Sequence, residues 1–209
     1  SCKDRAPAYI PNNVLFEYHI KSCKAAIDAG AKTVMINSGI INGESVHASY
    51  KLLTEILRNQ LGFEGVILTD WEDINKLCDR DKVAVNRKEA IKIAINAGID
   101  MSMVPYEYEE FTEYLFELVE EGKVKMSRID DATRKILKLK FELDLFQTPV
   151  TNYQDYPNFG SEESNKLAYE SASESITLLK NNNSILPLKK GSKILVTGPN
   201  GNTMNSLNG

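Results

Sequence analysis

Apolar positions along the chain fall into short blocks that alternate between a helical and an extended spacing. Residues 14–29 set Phe16, Ile20, Cys23 and Ile27 at 4-3-4 intervals, which predicts a helix closed by Gly30. Thr33-Val34-Met35-Ile36 is a β-branched run without alternation, the pattern of a strand buried on both faces. Ser38-Gly39 and Asn42-Gly43 predict a loop. Leu52, Leu53, Ile56, Leu57 and Leu61 predict a second helix before Gly62. Val66-Ile67-Leu68 reads as the next strand, and helical segments follow around 72–79 and 87–97, the latter closed by Gly98. Asp100-Met101-Ser102-Met103-Val104 reads as a third strand stopped by Pro105. Phe111, Tyr114, Leu115, Leu118 and Val119 stripe a helix ending at Gly122; Ser127 opens another with Ile129, Ala132, Ile136, Leu139 and Leu143 on one face.

Strands alternating with helices imply right-handed crossovers and a parallel sheet. Strand starts at 34, 66 and 100 recur at intervals of 32 and 34 residues, a period that suits a (β/α)8 barrel, in which about 250 residues make eight units. The expected fold is therefore α/β: residues 1–146 form the C-terminal portion, about three βα units, of a TIM-like barrel. Residues 147–192 read as an interdomain linker, rich in Pro, Asn and Gln at first, with a helical segment over 162–180. Lys193-Ile194-Leu195-Val196-Thr197-Gly198 reads as a strand, so residues 193–209 are expected to open an α/β sandwich domain.

Composition narrows the function. The 209 residues are 42% hydrophobic and 26% charged, with a net charge of -4. That balance argues against nucleic-acid or anionic-membrane partners, which need basic patches. No apolar run approaches the roughly 20 residues that cross a bilayer, and the polar, helix-patterned residues 1–30 do not read as a signal peptide. The start at Ser1-Cys2-Lys3, without methionine, suggests a fragment. Cys2, Cys23 and Cys78 match neither a disulfide framework nor zinc spacing, His47 has no second ligand at i+3 or i+4 and His19 has only Cys23, so no metal or cofactor is expected. Glu107, Glu109, Glu110 and Glu113 read as the solvated start of a helix. Gly198-Pro199-Asn200-Gly201 hints at a phosphate loop, but Pro199 removes one of the backbone donors such a loop uses.

The sharpest chemical candidate is Asp70, at the carboxyl end of the second strand, where parallel α/β folds gather their functional groups. Two readings stand side by side. Asp70-Trp71-Glu72-Asp73 resembles a helix N-cap. Equally, a carboxylate beside the chain's single tryptophan, Trp71, suits a sugar site, because the indole offers a platform for the apolar face of a ring.

Gly62-Phe63-Glu64-Gly65-Val66-Ile67-Leu68-Thr69-Asp70-Trp71 resembles the nucleophile segment of glycoside hydrolase family 3, the β-glucosidase family. Further blocks resemble the family in order: residues 29–36, Asn42-Gly43, residues 96–101, 127–132, 137–141, 174–181 and Leu186-Pro187-Leu188. The resemblance implies that Asp70 is the nucleophile of a retaining double displacement, that Trp71 packs against the sugar, and that Met35 lies near the pocket. A nucleophile must stay ionised, so polar surroundings are expected for it. It also implies a β-glucoside or oligosaccharide substrate, with β-xylosidase and β-N-acetylglucosaminidase as alternatives within the family. A non-catalytic carbohydrate-binding module and a nucleotide-binding protein are the rivals from other classes. A periplasmic or secreted bacterial location follows from the same resemblance.

Departures are visible too. Many family members carry a tyrosine shortly before the Asn-Gly turn, where this chain has Ser38. The family's Lys-His sugar-binding segment is expected upstream of Ser1, and the acid/base carboxylate beyond Gly209. The isolated chain is therefore expected to be inactive, and to self-associate through open strand edges at 34–37 or 100–104.

Overall fold

The computed structural model describes residues 5–203, and the chain divides into two units, residues 1–150 and 151–209. Cys2 lies outside the described residues.

In the first unit, α1 (Asn12–Val14) continues through a π-helical stretch (Leu15–Ile20) into α2 (Lys21–Asp28). The predicted stripe is thus one helical run, but Leu15 is its only buried side chain. Leu15, Ile20 and Cys23 instead line a cavity of about 540 Å³ together with Val34 and Ile36. After β1 (Thr33–Met35), the predicted loop proves to be a hairpin of β2 (Ile40–Ile41) and β3 (Glu44–Ser45). Its two-residue turn has positive φ at Asn42 and Gly43, 52° and 87°, as the favoured Asn-Gly hairpin turn requires. The Asn42 side chain grips the Ile10 backbone twice: its amide donates to Ile10 O at 2.9 Å, and its oxygen accepts from Ile10 N at 2.7 Å.

The second predicted helix is a π-helix, Lys51–Gln60, that buries Leu53, Ile56 and Leu57. It leads to β4 (Val66–Leu68), which pairs in parallel with β1 in the register Thr33↔Val66, Val34↔Ile67, Met35↔Leu68. Gly65 is required just before this pairing, because a Cβ there would meet the Lys32 carbonyl oxygen at 2.1 Å. α3 (Asp73–Asp79), α4 (Arg87–Ala97), α5 (Tyr108–Glu120) and α6 (Met126–Glu142) complete the unit. Ile67, Ile74, Leu77, Ile91, Ile99 and Val124 form the middle of one continuous apolar core. The architecture is α/β with mixed helices and short strands.

The predicted third strand does not form a ladder. Residues 100–104 run beside β4 but share with it only the isolated parallel bridge Leu68↔Met101. The reason is local: side chains take bonds that a ladder would use. The Asp100 carboxylate accepts the Ile67 N–H at 2.9 Å, and the Thr69 hydroxyl accepts the Met103 N–H at 2.7 Å.

Asp100 is also the polar centre of the core. Arg58, from the π-helix, and Arg128, from α6, both donate to its carboxylate, Arg128 at 2.8 Å. The same guanidiniums tie down nearby backbone. Arg58 reaches the carbonyls of Phe63 and Gly65, and Arg128 those of Ile95 and Ile99. Burial pushes the Arg58 pKa below its ordinary value, with Asp100 opposing and Arg128 reinforcing the shift.

A second polar pair lies deeper. His47, in a 3₁₀ turn (Val46–Ala48), faces Asp73 across 3.5 Å, with side chains 1% and 0% exposed. Burial lowers the His47 pKa although the Asp73 carboxylate pulls it up.

In the second unit, α7 (Glu162–Ser175) is capped by Ser161, whose hydroxyl accepts the Ser164 N–H at 3.2 Å. It ends earlier than the predicted 180, where Ile176 turns extended. Residues 193–198 are not paired as a strand among the described residues, and Ile194, Leu195 and Val196 are exposed. A strand is defined by a ladder partner, and none is present there. Gly198 to Gly201 forms an exposed turn closed by a 3.1 Å backbone bond.

Two measurements test these interactions. Asp100→Asn leaves two guanidiniums facing each other without a counter-charge, and urea denaturation is expected to show a loss of about 3–5 kcal/mol. The second concerns acid. Because the folded state holds His47 below its ordinary value of 6.5, its contribution is present above pH ~6.5 and is lost as pH falls through and below that value. His47→Gln is expected to flatten the stability profile between about pH 6.5 and 5, above the range where carboxylates titrate.

Candidate active site

The strand β4 ends at Leu68, and the next residues carry the candidate chemistry outward. Thr69 is fully buried, and its N–H donates to Met101 O at 3.1 Å. Its two bonds to residues 101–103 fasten the point from which Asp70 emerges. Asp70 keeps a side chain 29% exposed. Its Oδ1 accepts the Trp71 N–H at 2.6 Å, while Oδ2 is 3.5 Å from the Arg5 guanidinium.

The capping reading of Asp70 fails on this geometry. α3 begins at Asp73, its N-cap is Glu72, and no side chain caps it. Asp70 is joined to the helix start through backbone alone, since its carbonyl accepts the Asp73 N–H at 3.3 Å. Between them Glu72 adopts φ 57°, a left-handed conformation uncommon outside glycine and asparagine, and its N–H donates to Met103 O at 2.9 Å. The backbone therefore makes a sharp, fastened corner directly after Asp70.

Asp70 opens onto a cavity of about 390 Å³ that it lines with Arg5, Met35, Ile36, Asn37 and Ser38. The structure thus brings together two of the three candidates: Met35, half-exposed at the end of β1, and Asp70 at the end of β4. Trp71 stands on the same corner but outside that lining. It is 50% exposed and meets Tyr106 edge-on, with ring centroids 6.1 Å apart and planes at 83°.

Several neighbours escaped sequence reasoning. Arg5 and Tyr106 lie in segments without periodicity. Ser38 is held by Arg80, whose guanidinium donates to its hydroxyl at 3.0 Å while also pairing with Asp81 at 2.5 Å. The Asp81 carboxyl is pushed up by burial, but Arg80 and the Ser45 hydroxyl more than offset this, so its pKa lies below the ordinary value. A detectable signal existed only for Asp73, a carboxylate at i+3 from Asp70 in an apolar-faced helix. The acidic residues at the start of α5 are partly paired, Arg87 reaching Glu110 at 3.1 Å and Glu107 at 3.5 Å. No group of three His, Cys, Asp or Glu side chains among the described residues is placed to hold a metal ion.

This arrangement can present one carboxylate oxygen, an arginine and a half-exposed aromatic to a ligand. Known proteins resemble the chain over most of its length. Residues 1–139 match the family described as "Glycosyl hydrolase family 3 N terminal domain". A lysosomal beta glucosidase of Dictyostelium discoideum is 46% identical over 218 residues, covering 100% of this chain and 26% of that protein. A periplasmic beta-glucosidase of Salmonella typhimurium is 36% identical over 197 residues, covering 88% and 24%. The crystal structure of a beta-glucosidase from Listeria innocua aligns with a TM-score of 0.72 at 30% identity, covering 94% of this chain and 28% of that one, and that protein has also been crystallised with glucose. The chain spans about a quarter of the length of the curated relatives it matches. With most of its residues inside the matched region, the chain belongs to glycosyl hydrolase family 3.

Proposed function

We propose that this chain is the nucleophile-bearing segment of a retaining β-glucosidase, the C-terminal part of a (β/α)8 barrel followed by a linker and the start of a second domain. The single observation that carries the reading is the carboxylate of Asp70 at the carboxyl end of a parallel strand, one oxygen held by backbone and the other facing a cavity beside Arg5. In the first step Asp70 Oδ2 attacks the anomeric carbon, the glycosidic bond breaks, and the aglycone oxygen takes a proton from a general acid carried elsewhere. Water then hydrolyses the glycosyl ester and regenerates the carboxylate. Fixing Oδ1 through the Trp71 N–H leaves Oδ2 oriented for that attack.

Trp71 and Met35 supply apolar surface for the sugar, with Tyr106 fixing the indole edge. Ser38 replaces the tyrosine of many relatives, so its hydroxyl, held by Arg80, stands on the cavity wall that Asp70 shares. The substrate class is a terminal β-glucoside, supported by the beta-glucosidase names of the relatives and by the crystal of the Listeria protein with glucose. A periplasmic or secreted location is supported by the periplasmic Salmonella relative, against the lysosomal one from Dictyostelium. In isolation, β1 pairs only on its β4 side among the described residues, which leaves an edge for self-association.

In the full-length enzyme, a 2-deoxy-2-fluoro glucoside with a good leaving group is expected to label Asp70 covalently, as peptide mass spectrometry would show. Asp70→Asn is expected to lower kcat by a factor on the order of 10³ or more; normal turnover in that variant would sink the assignment. Trp71→Ala is expected to cost about 0.5–1.5 kcal/mol in kcat/KM on an aryl β-glucoside, with hydrolysis of the matching xyloside slower throughout. Size-exclusion chromatography of the isolated chain is expected to show species larger than its 23.4 kDa mass.

A further inference from the structure

We propose that the buried pair His47–Asp73 is a positioning device that sets the orientation of Asp70 through the corner at Glu72. The inference rests on the reading of Asp70 as the nucleophile. Asp73 is the first residue of α3 and the second anchor of that corner, its N–H donating to the Asp70 carbonyl at 3.3 Å. Its carboxylate points into the core, where His47 Nε2 is 3.5 Å away. Neither carboxylate oxygen of Asp73 and neither ring nitrogen of His47 has a hydrogen-bond partner at proper distance and angle, although all four are fully buried.

Such a pair is a poor way to gain stability. Burying polar groups without well-formed hydrogen bonds costs free energy, and an apolar pair of similar volume would hold the same space at no such cost. The pair lies next to the one left-handed residue in this corner, Glu72. Together they mark a turn whose shape is over-determined for something other than packing.

The surroundings explain how the pair acts. The 3₁₀ turn carrying His47 packs against both α3 and α4, which encloses the imidazole beside Asp73. The charged groups around it are Asp70 and Asp73 from the corner and Arg80 and Asp81 from the far end of α3. Arg80 in turn holds Ser38 on the cavity wall. Both ends of α3 are therefore tied to the loop 38–48, and Asp70 rides on the end where His47 acts. With a neutral imidazole the two groups face each other across 3.5 Å without a well-formed hydrogen bond. Protonation places a full positive charge against Asp73, and that draws the helix start inward and turns Asp70.

The test compares His47→Leu, His47→Gln and Asp73→Asn in the full-length enzyme. Melting temperature, kcat, KM, the pH profile of kcat/KM and the rate of covalent labelling by a 2-fluoro glucoside are followed together. His47→Leu is expected to keep its melting temperature and KM while labelling slows about tenfold to hundredfold. The acid limb of the pH profile is expected to shift, and His47→Gln, which keeps an N–H, to recover part of the loss. Labelling at the wild-type rate in folded variants overturns the proposal. So does activity that falls only in step with melting temperature, or loss of fold in both His47→Leu and Asp73→Asn, since each marks a purely structural pair. Asp70→Asn separates the two readings. If it keeps turnover, the nucleophile assignment fails; if it abolishes labelling while the His47 and Asp73 variants label normally, only the positioning role fails.

Discussion

A single buried carboxylate organises the first unit. Asp100 receives two guanidiniums and a backbone N–H, and through them it joins a π-helix, β4 and α6. Each arginine carries further bonds to carbonyls at segment ends, where helix and strand termini leave acceptors unsatisfied. The charge of Asp100 makes both guanidiniums tolerable in the core, and they in turn donate to backbone carbonyls of four residues. Remove the carboxylate and both solutions fail together, which is the signature of a network rather than a sum of pairs.

The proposed nucleophile lies just beyond the strand that this clamp holds. Asp100 holds Ile67 in the middle of β4, Thr69 holds residue 103 at its exit, and Asp70 follows at once. Apolar packing alone fixes a strand loosely along its axis, whereas three directional bonds fix it in position and rotation. A carboxylate in the role proposed for Asp70 needs that precision, because its oxygen must meet one carbon along one line. Rigidity built below is thus spent on aim above.

How much of this could be read from the chain follows from the physics of each feature. Helices over 87–97 and 126–142 were legible because apolar residues recur over three turns or more. The π-helical stretches read only as helix, since a few apolar residues three and four apart mark a helical face without fixing which carbonyl each N–H reaches. The hairpin at 40–45 escaped because strands of two residues cannot alternate. Residues 100–104 looked like a strand by composition, yet the carboxylate inside them intercepts the bond a ladder would make. Asp70 and Trp71 stood out at the carboxyl end of a strand and Met35 through a resemblance, whereas Arg5, Arg80 and the His47–Asp73 pair depend on contacts between distant segments that no local pattern encodes.

Gly65 carries a consequence for how the chain finds its register. The Lys32 carbonyl oxygen would lie 2.1 Å from any Cβ at that position, so only a glycine can stand there as the two strands meet. Sliding β4 by one residue in one direction would bring the Cβ of Val66 against that oxygen; in the other it would bring that of Glu64. Since a one-residue slip also turns every side chain to the opposite face, either error would hide Asp70 from its cavity. A missing side chain thus favours the one pairing that leaves the carboxylate facing its cavity.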